Sequence, residues 1–292
     1  MPIGFHASIA GGLHRAIERI DDLGCDALQM FIRNPRAWQY KPLGTEDVKL
    51  FKRERQASGI WPVCVHTSYL INLSSPDDGL FERSVALFIL ELTGAEDIGA
   101  DYLVTHLGSH RGEGPEWAIK RIGRALMEVG KKGLGKRTKI LVENSAGGGS
   151  TFGADLKEVG AVMEMGASMG LDMGFCFDTC HGFAHGYPMR TAAEATALVK
   201  TIEKEAGLDR LALIHLNDSK GGPGSGVDRH ENIGKGRIGR AGLGAFLRTK
   251  KISALPIIME TPKKVKGDDV KNLKTVREIM GLKRRALPLK RP

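Results

Sequence analysis

The chain has 292 residues, 41% of them hydrophobic and 26% charged, a balance that excludes disordered and fibrous classes and leaves a soluble globular protein. No apolar run approaches the roughly 18 residues that cross a bilayer, and the opening MPIGFHAS lacks a signal-peptide pattern, so a cytoplasmic protein with no membrane partner is expected. A net charge of +9 favours a polyanionic partner, nucleic acid above all, and four cysteines without an export signal point to free thiols.

In chain order, short β-rich runs alternate with longer amphipathic ones. IGFHAS (3–8) precedes the helical pattern GLHRAIERIDDL, and ALQMFIR (27–33) runs into the aromatic and basic loop FIRNPRAWQYKP (31–42). WPVCVH (61–66) leads into the loop HTSYLINLSSP (66–76) and then the helical DGLFERSVALFILELTGAEDIG. YLVTHL (102–107) precedes EWAIKRIGRALMEVGKKG, and KILVENS (139–145), MGFCFDT (173–179), LALIHLND (211–218) and PIIMET (256–261) complete eight strand candidates. Eight strands with intervening helices, spaced by roughly 25 to 45 residues, match a (β/α)₈ TIM barrel, an α/β fold. An open doubly wound sheet is the alternative. Residues 1–282 read as one barrel domain and 283–292 as a loose basic C-terminal tail.

Polar residues fall where these strands end. The third strand ends in His66, the fourth in His106, the fifth in Glu143 and the sixth in Asp178, with His181 just beyond. The seventh carries His215, the eighth ends in Glu260, and the glycine-rich loop after strand seven offers Asp228 and His230. In a barrel, strand C-termini converge on one mouth, so these nine side chains gather in one cleft. A single strand-end histidine is ordinarily a hydrogen-bonded structural residue, but that reading must hold at many strands simultaneously. Clustered carboxylates and imidazoles need compensating cations, and the donor types suit Zn²⁺ or Mn²⁺, with two or three ions implied by the ligand count.

The cysteines carry less. Cys176 sits in the apolar run GFCF as a structural thiol, and Cys180, beside the carboxylate of Asp178, reads as a small residue in a tight turn rather than a nucleophile. His6 and His110 are placed near the cleft in supporting positions, His14 on a surface helix, and His185 is left between ligand and loop residue. The stretches SAGGGSTFG (145–153) and GGPGSG (221–226) match no phosphate-binding fingerprint and read as close-approach loops at the mouth. Loops 31–42 and 66–76 carry aromatic, apolar and basic residues of the kind that unstack a duplex.

With HTSYLINL, HLGSH, ENSAGGGS, FDTCHGFAHGY, HLNDSK and GSGVDRHENIGKG in that order, nearly the whole chain resembles the endonuclease IV class of apurinic/apyrimidinic endonucleases. The resemblance implies a TIM barrel with three zinc ions. His66 and His106 would bind one, bridged through Glu143 to a second that also takes Asp178, His215 and Glu260; His181, Asp228 and His230 would hold the third. Among these, Glu143, Asp178 and Glu260 would carry the catalytic roles, while Arg36, Tyr69 and Leu70 match residues inserted at an abasic site. The implied reaction is hydrolysis of the phosphodiester 5′ to an abasic site in duplex DNA, by a metal-bound hydroxide, leaving a 3′-hydroxyl and a 5′-deoxyribose phosphate. A monomer is expected. Glu231 stands where the family often has a second histidine, Leu107 where a proline is common, and the basic tail is unusual. Two rivals remain: a metal-dependent sugar isomerase or epimerase on the same barrel, and a non-catalytic binder of damaged DNA.

Overall fold

The computed structural model describes residues 1–282. The chain opens with β1 (Ile3–His6), α1 (His14–Asp22), β2 (Ala27–Met30), α2 (Thr45–Ser58), β3 (Val63–His66) and α3 (Asp78–Ile98). Then come β4 (Tyr102–Thr105), α4 (Pro115–Lys131), β5 (Lys139–Glu143), α5 (Leu156–Ser168), β6 (Met173–Asp178), α6 (Thr179–His185) and α7 (Ala192–Glu205). The remainder is β7 (Leu211–His215), the short β8 (Asp218–Ser219) and β9 (His230–Glu231), α8 (Gly239–Leu247), β10 (Ile257–Met259) and α9 (Asp268–Met280).

Local chemistry sets the helix ends. Asp77 caps α3 by accepting from Leu80 N, Pro115 opens α4 where no amide hydrogen is needed, and Thr191 with Glu194 forms a reciprocal capping box on α7. α3 stops at Gly99, whose φ of 72° suits glycine. No described helix is long and apolar enough to cross a membrane.

All eight predicted strands form, and they close in the order β1-β10-β7-β6-β5-β4-β3-β2, every pairing parallel. Closure through Ile3↔Ile257 and Gly4↔Ala27 makes this the (β/α)₈ TIM barrel and removes the open-sheet alternative. The strands are shorter than their apolar runs because the chain leaves the ladder to build the mouth. β2, for example, stops at Met30, and residues 31–33 belong to a mouth loop.

The barrel interior holds the buried cluster Ala27, Cys64, Val104, Leu141, Cys176, Leu213 and Ile258, one residue from each strand but β1. β1 contributes Gly4, where a Cβ would lie 1.7 Å from the Ala27 carbonyl oxygen. Side chains on a strand return to the same face every second residue. Two positions further along, the eight strands therefore present His6, Gln29, His66, His106, Glu143, Asp178, His215 and Glu260. An apolar floor is followed by a ring of eight polar side chains, and that ring is the base of the site.

Two expectations change. The segment after Asp178, read as a turn with Cys180 in it, is helix α6, started directly by the strand: the Asp178 carboxylate accepts from His181 N at 2.9 Å. His14 opens α1 half-buried instead of on the open surface. The basic stretch 283–292 lies outside the described residues.

Candidate metal centre

Each strand-end residue named from the sequence is brought to the mouth, around a cavity of about 430 Å³. Glu143, wholly buried and off the cavity wall, stands at the centre of the cluster of side chains. Its Oε2 is 3.0 Å from His66 Nε2 and 3.3 Å from His106 Nε2. Its Oε1 is 3.0 Å from His215 Nδ1 and 3.4 Å from His181 Nδ1. One carboxylate thus touches two clusters, His66–His106–Glu143 and Glu143–Asp178–His215–Glu260, in each of which the potential ligand atoms lie within 4.8 Å of one another.

The third group rides on α6 and on the β8–β9 arm. His181 and His230 cluster with Asp178, and Asp228 Oδ1 lies 3.1 Å from His181 Nε2 and 3.3 Å from His230 Nε2. The arm is fixed by buried Asp218, whose carboxylate accepts from the amides of Gly234, Gly236 and Ile238 at 2.9 to 3.0 Å. Cys180 falls beside Asp228 and His230 as well. Burial first, and the Asp178 charge second, push its thiol up to about 12, so it is protonated at neutral pH.

Hydrogen bonds on the outer side of three of the rings decide what their inner sides can be. A carbonyl oxygen only accepts, so the Nδ1–H groups of His66, His181 and His230 donate to Thr67 O, Asn144 O and Glu260 O at 2.8, 3.0 and 3.0 Å. The inner nitrogen of each neutral ring is then a bare lone pair aimed at carboxylates, and at another ring where His181 Nε2 and His230 Nε2 stand 3.4 Å apart. Acceptor against acceptor in a buried site is repulsive unless a cation lies between them. Outer nitrogens tied to fixed acceptors are also how proteins present imidazole to metals. The nine side chains therefore fit divalent cations, with nitrogen and oxygen donors that suit zinc or manganese.

Protons are the competing cations. Burial disfavours the charged form of His181, but Asp178 and Asp228 outweigh it and the pKa stands well above the ordinary value. His215 is likewise raised despite burial, with Cys176, Glu143 and Glu260 around it. Burial would raise the carboxyls of Glu143 and Glu260, yet neighbouring imidazoles, His106 and His215 for the first and His215 for the second, hold both below the ordinary range.

Asn144, Asn217 and Gln29 were not picked out from the sequence. Asn144 Oδ1 accepts from Asp178 N at 2.7 Å. Asn217 donates to Asp178 Oδ2 at 2.7 Å and accepts from Glu260 N at 2.9 Å. Gln29 links Glu260 and His215. Lys263, also on the cleft wall, is held by His6 O at 3.1 Å and Asp269 at 3.0 Å.

Of the supporting histidines, His6 lines the cleft as expected, its Nδ1 3.4 Å from Glu260 Oε1. His110 does not: its Nδ1 accepts from Gly112 N and Gly114 N and caps the turn before α4. His185 ends α6 exposed, packed on Tyr187 and outside the ligand groups. Tyr69 is 65% exposed at the rim against Phe31, Arg36 is exposed on its loop, and Leu70 is half-buried. The two glycine-rich loops meet each other, a Cβ at Gly148 falling 2.7 Å from Gly226 O, and they wall a second cavity of about 220 Å³ that shares His106, His181 and Asp228 with the first.

Residues 17–282 match the family described as xylose isomerase-like TIM barrel. A protein of Methanoculleus marisnigri, described as probable endonuclease 4, is 42% identical over 279 residues, 96% of this chain and 99% of its own. The crystal structure of endonuclease IV from Thermus thermophilus is similar with a TM-score of 0.85 at 35% identity, covering 96% of this chain and 99% of that one. A D-tagatose 3-epimerase-like protein reaches a TM-score of 0.72 at 17% identity over 96% of this chain and 97% of its own, a likeness of fold alone.

Proposed function

Because the chain belongs to the endonuclease IV family within the xylose isomerase-like TIM barrels, we propose that it is a DNA-repair endonuclease that hydrolyses the phosphodiester 5′ to abasic sites in duplex DNA. The products are a 3′-hydroxyl and a 5′-deoxyribose phosphate, and the protein acts as a cytoplasmic monomer. The observation that carries this reading is the set of imidazole lone pairs and carboxylates facing one another at the mouth, joined through Glu143.

Three zinc ions fit that set, with manganese as an alternative occupant. His66, His106 and Glu143 would hold one; Glu143, Asp178, His215 and Glu260 a second; His181, Asp228 and His230 a third. When bound, the ions supply water acidified to near neutrality and positive charge against the phosphodiester. Glu143, Asp178 and Glu260 serve catalysis by fixing where that charge sits; Asn144 and Asn217 hold Asp178, and Gln29 and Asn217 hold Glu260. No side-chain nucleophile is needed, in keeping with a protonated Cys180. Tyr69, Leu70 and Arg36 stand on rim loops from which they enter the duplex at the lesion, where a missing base lowers the cost of unstacking.

The epimerase reading uses the Glu143–Asp178–His215–Glu260 group alone and leaves His66, His106, His181, Asp228 and His230 without a purpose. A duplex carrying one synthetic abasic site decides between them. The protein nicks it immediately 5′ to the lesion, chelation abolishes the nick, and Glu260→Gln binds without cutting. Tight binding with no nick by the wild type would leave a damaged-DNA binder, and sugar turnover without DNA binding an epimerase.

A further inference from the structure

Gln29 is the one member of the polar ring that carries no titratable group, and it is fully buried on β2. Its two ends are not interchangeable. The carboxylate of Glu260 only accepts, so the amide nitrogen must face it, and Gln29 Nε2 lies 2.6 Å from Glu260 Oε1. The second hydrogen of the same nitrogen is directed at His6 Nδ1, 3.1 Å away.

The amide oxygen is thereby turned to His215 Nε2, 2.8 Å away, and accepts its proton. His215 is left with a lone pair on Nδ1, the atom 3.0 Å from Glu143 Oε1 and 3.6 Å from Glu260 Oε2. Where His66, His181 and His230 have their outer nitrogens held by backbone carbonyls, His215 relies on a side chain. A substitution can therefore remove its anchor without moving the backbone.

We propose that Gln29 is a positioning residue that sets the His215 tautomer and the Glu260 carboxylate together, and so tunes metal affinity at the Glu143–Asp178–His215–Glu260 group. The inference rests on the metal-centre reading above. Without the amide, His215 is free to carry its proton on Nδ1, where it blocks coordination. Glu260 loses a close donor at the same time. Partners at this remove from a metal typically contribute roughly 10- to 100-fold in affinity.

The test uses the full chain loaded with zinc. Gln29→Met keeps the length and apolar volume of the side chain and removes all three of its hydrogen bonds, to Glu260, His6 and His215. Against a graded chelator, it should release one ion at roughly 10- to 100-fold lower chelator concentration than wild type, the other ions being retained. Nitrogen NMR of the wild-type ring should show His215 bound through Nδ1 with its proton on Nε2, a readout that survives even if Gln29→Met does not fold. Gln29→Glu keeps an oxygen toward Nε2 and so should preserve that tautomer, while it loses the amide donor to Glu260. A His215 proton on Nδ1 in the loaded wild type, or chelator resistance of Gln29→Met within twofold of wild type, overturns the proposal. A wild type that takes up no zinc overturns the metal-centre reading itself, and so is distinguishable.

Discussion

At the scale of single residues, the proposed centre would set metal ions against protons for the same lone pairs. His181 and His215 have folded pKa values raised above the ordinary 6.5. In metal-free protein their contribution to stability is complete below that pH and is lost as pH rises through the raised values. Glu143 and Glu260 are held below the ordinary 4.5, so their contribution is present above it and is lost as pH falls. His66 is raised as well, whereas His6 and His106 are lowered and oppose the trend below 6.5, so chelated protein should weaken as pH falls below 4.5 and again as it rises above neutrality. Metal-loaded protein should strengthen over the same alkaline range, because ligands no longer share their lone pairs with protons. Thermal unfolding across pH, with and without chelator, measures this; superimposable loaded and chelated curves above neutrality would contradict a cation site. The nine charged or imidazole residues were legible in the sequence because each falls at the end of an apolar run or in the loop just beyond one. Gln29 was not, because its signal is positional: it lies two residues beyond Ala27, as His66 lies two beyond Cys64 and Glu143 two beyond Leu141.

At the scale of elements, two rim loops behave as one piece. Arg33 of the loop after β2 pairs with Glu91 on α3 at 2.9 Å, and the other Glu91 oxygen accepts from Ser68 N, also at 2.9 Å. Ser68 Oγ closes the circuit by donating to Pro35 O at 2.7 Å. Both charged groups are inaccessible, Arg33 at 9% and Glu91 at 1% side-chain exposure. Arg36 on one loop and Tyr69 and Leu70 on the other are thus held at a set separation before any ligand arrives. Glu91→Ala strands the Arg33 charge and should cost about 3 to 5 kcal/mol in denaturant unfolding. The double change Arg33→Met with Glu91→Leu should recover most of that stability, while KM for abasic duplex stays raised and metal content is unchanged. Recovery of KM along with stability would show that the brace serves folding alone. The eight barrel strands were readable from β-branched and apolar runs bounded by polar turns. Helix α6 was not, since Thr179–His185 is too short for an apolar period and is specified by its cap, Asp178.

At the scale of the whole molecule, a chain of net charge +9 gathers carboxylates at the mouth of its barrel, and the ions of the proposed centre would reconcile the two. Five of the basic residues, Lys283, Arg284, Arg285, Lys290 and Arg291, lie in the last ten positions, and ending the chain at Leu282 lowers the charge to +4. That truncation should weaken binding to undamaged duplex and flatten its salt dependence by about 0.9 per lost phosphate contact, leaving the nicking rate at saturating DNA unchanged. An unaltered salt slope would show that the tail makes no contact with DNA. Strand order also gives the molecule a clock. β1 is made first, yet one of its two neighbours is β10, made last, and Glu260 follows that strand by one residue. A chain not yet extended to Ile257 has an unsealed edge and lacks Glu260 of the proposed ligand set. The proposed ligand set is therefore completed only with the strand that also closes the barrel, so that folding and the capacity for chemistry arrive together.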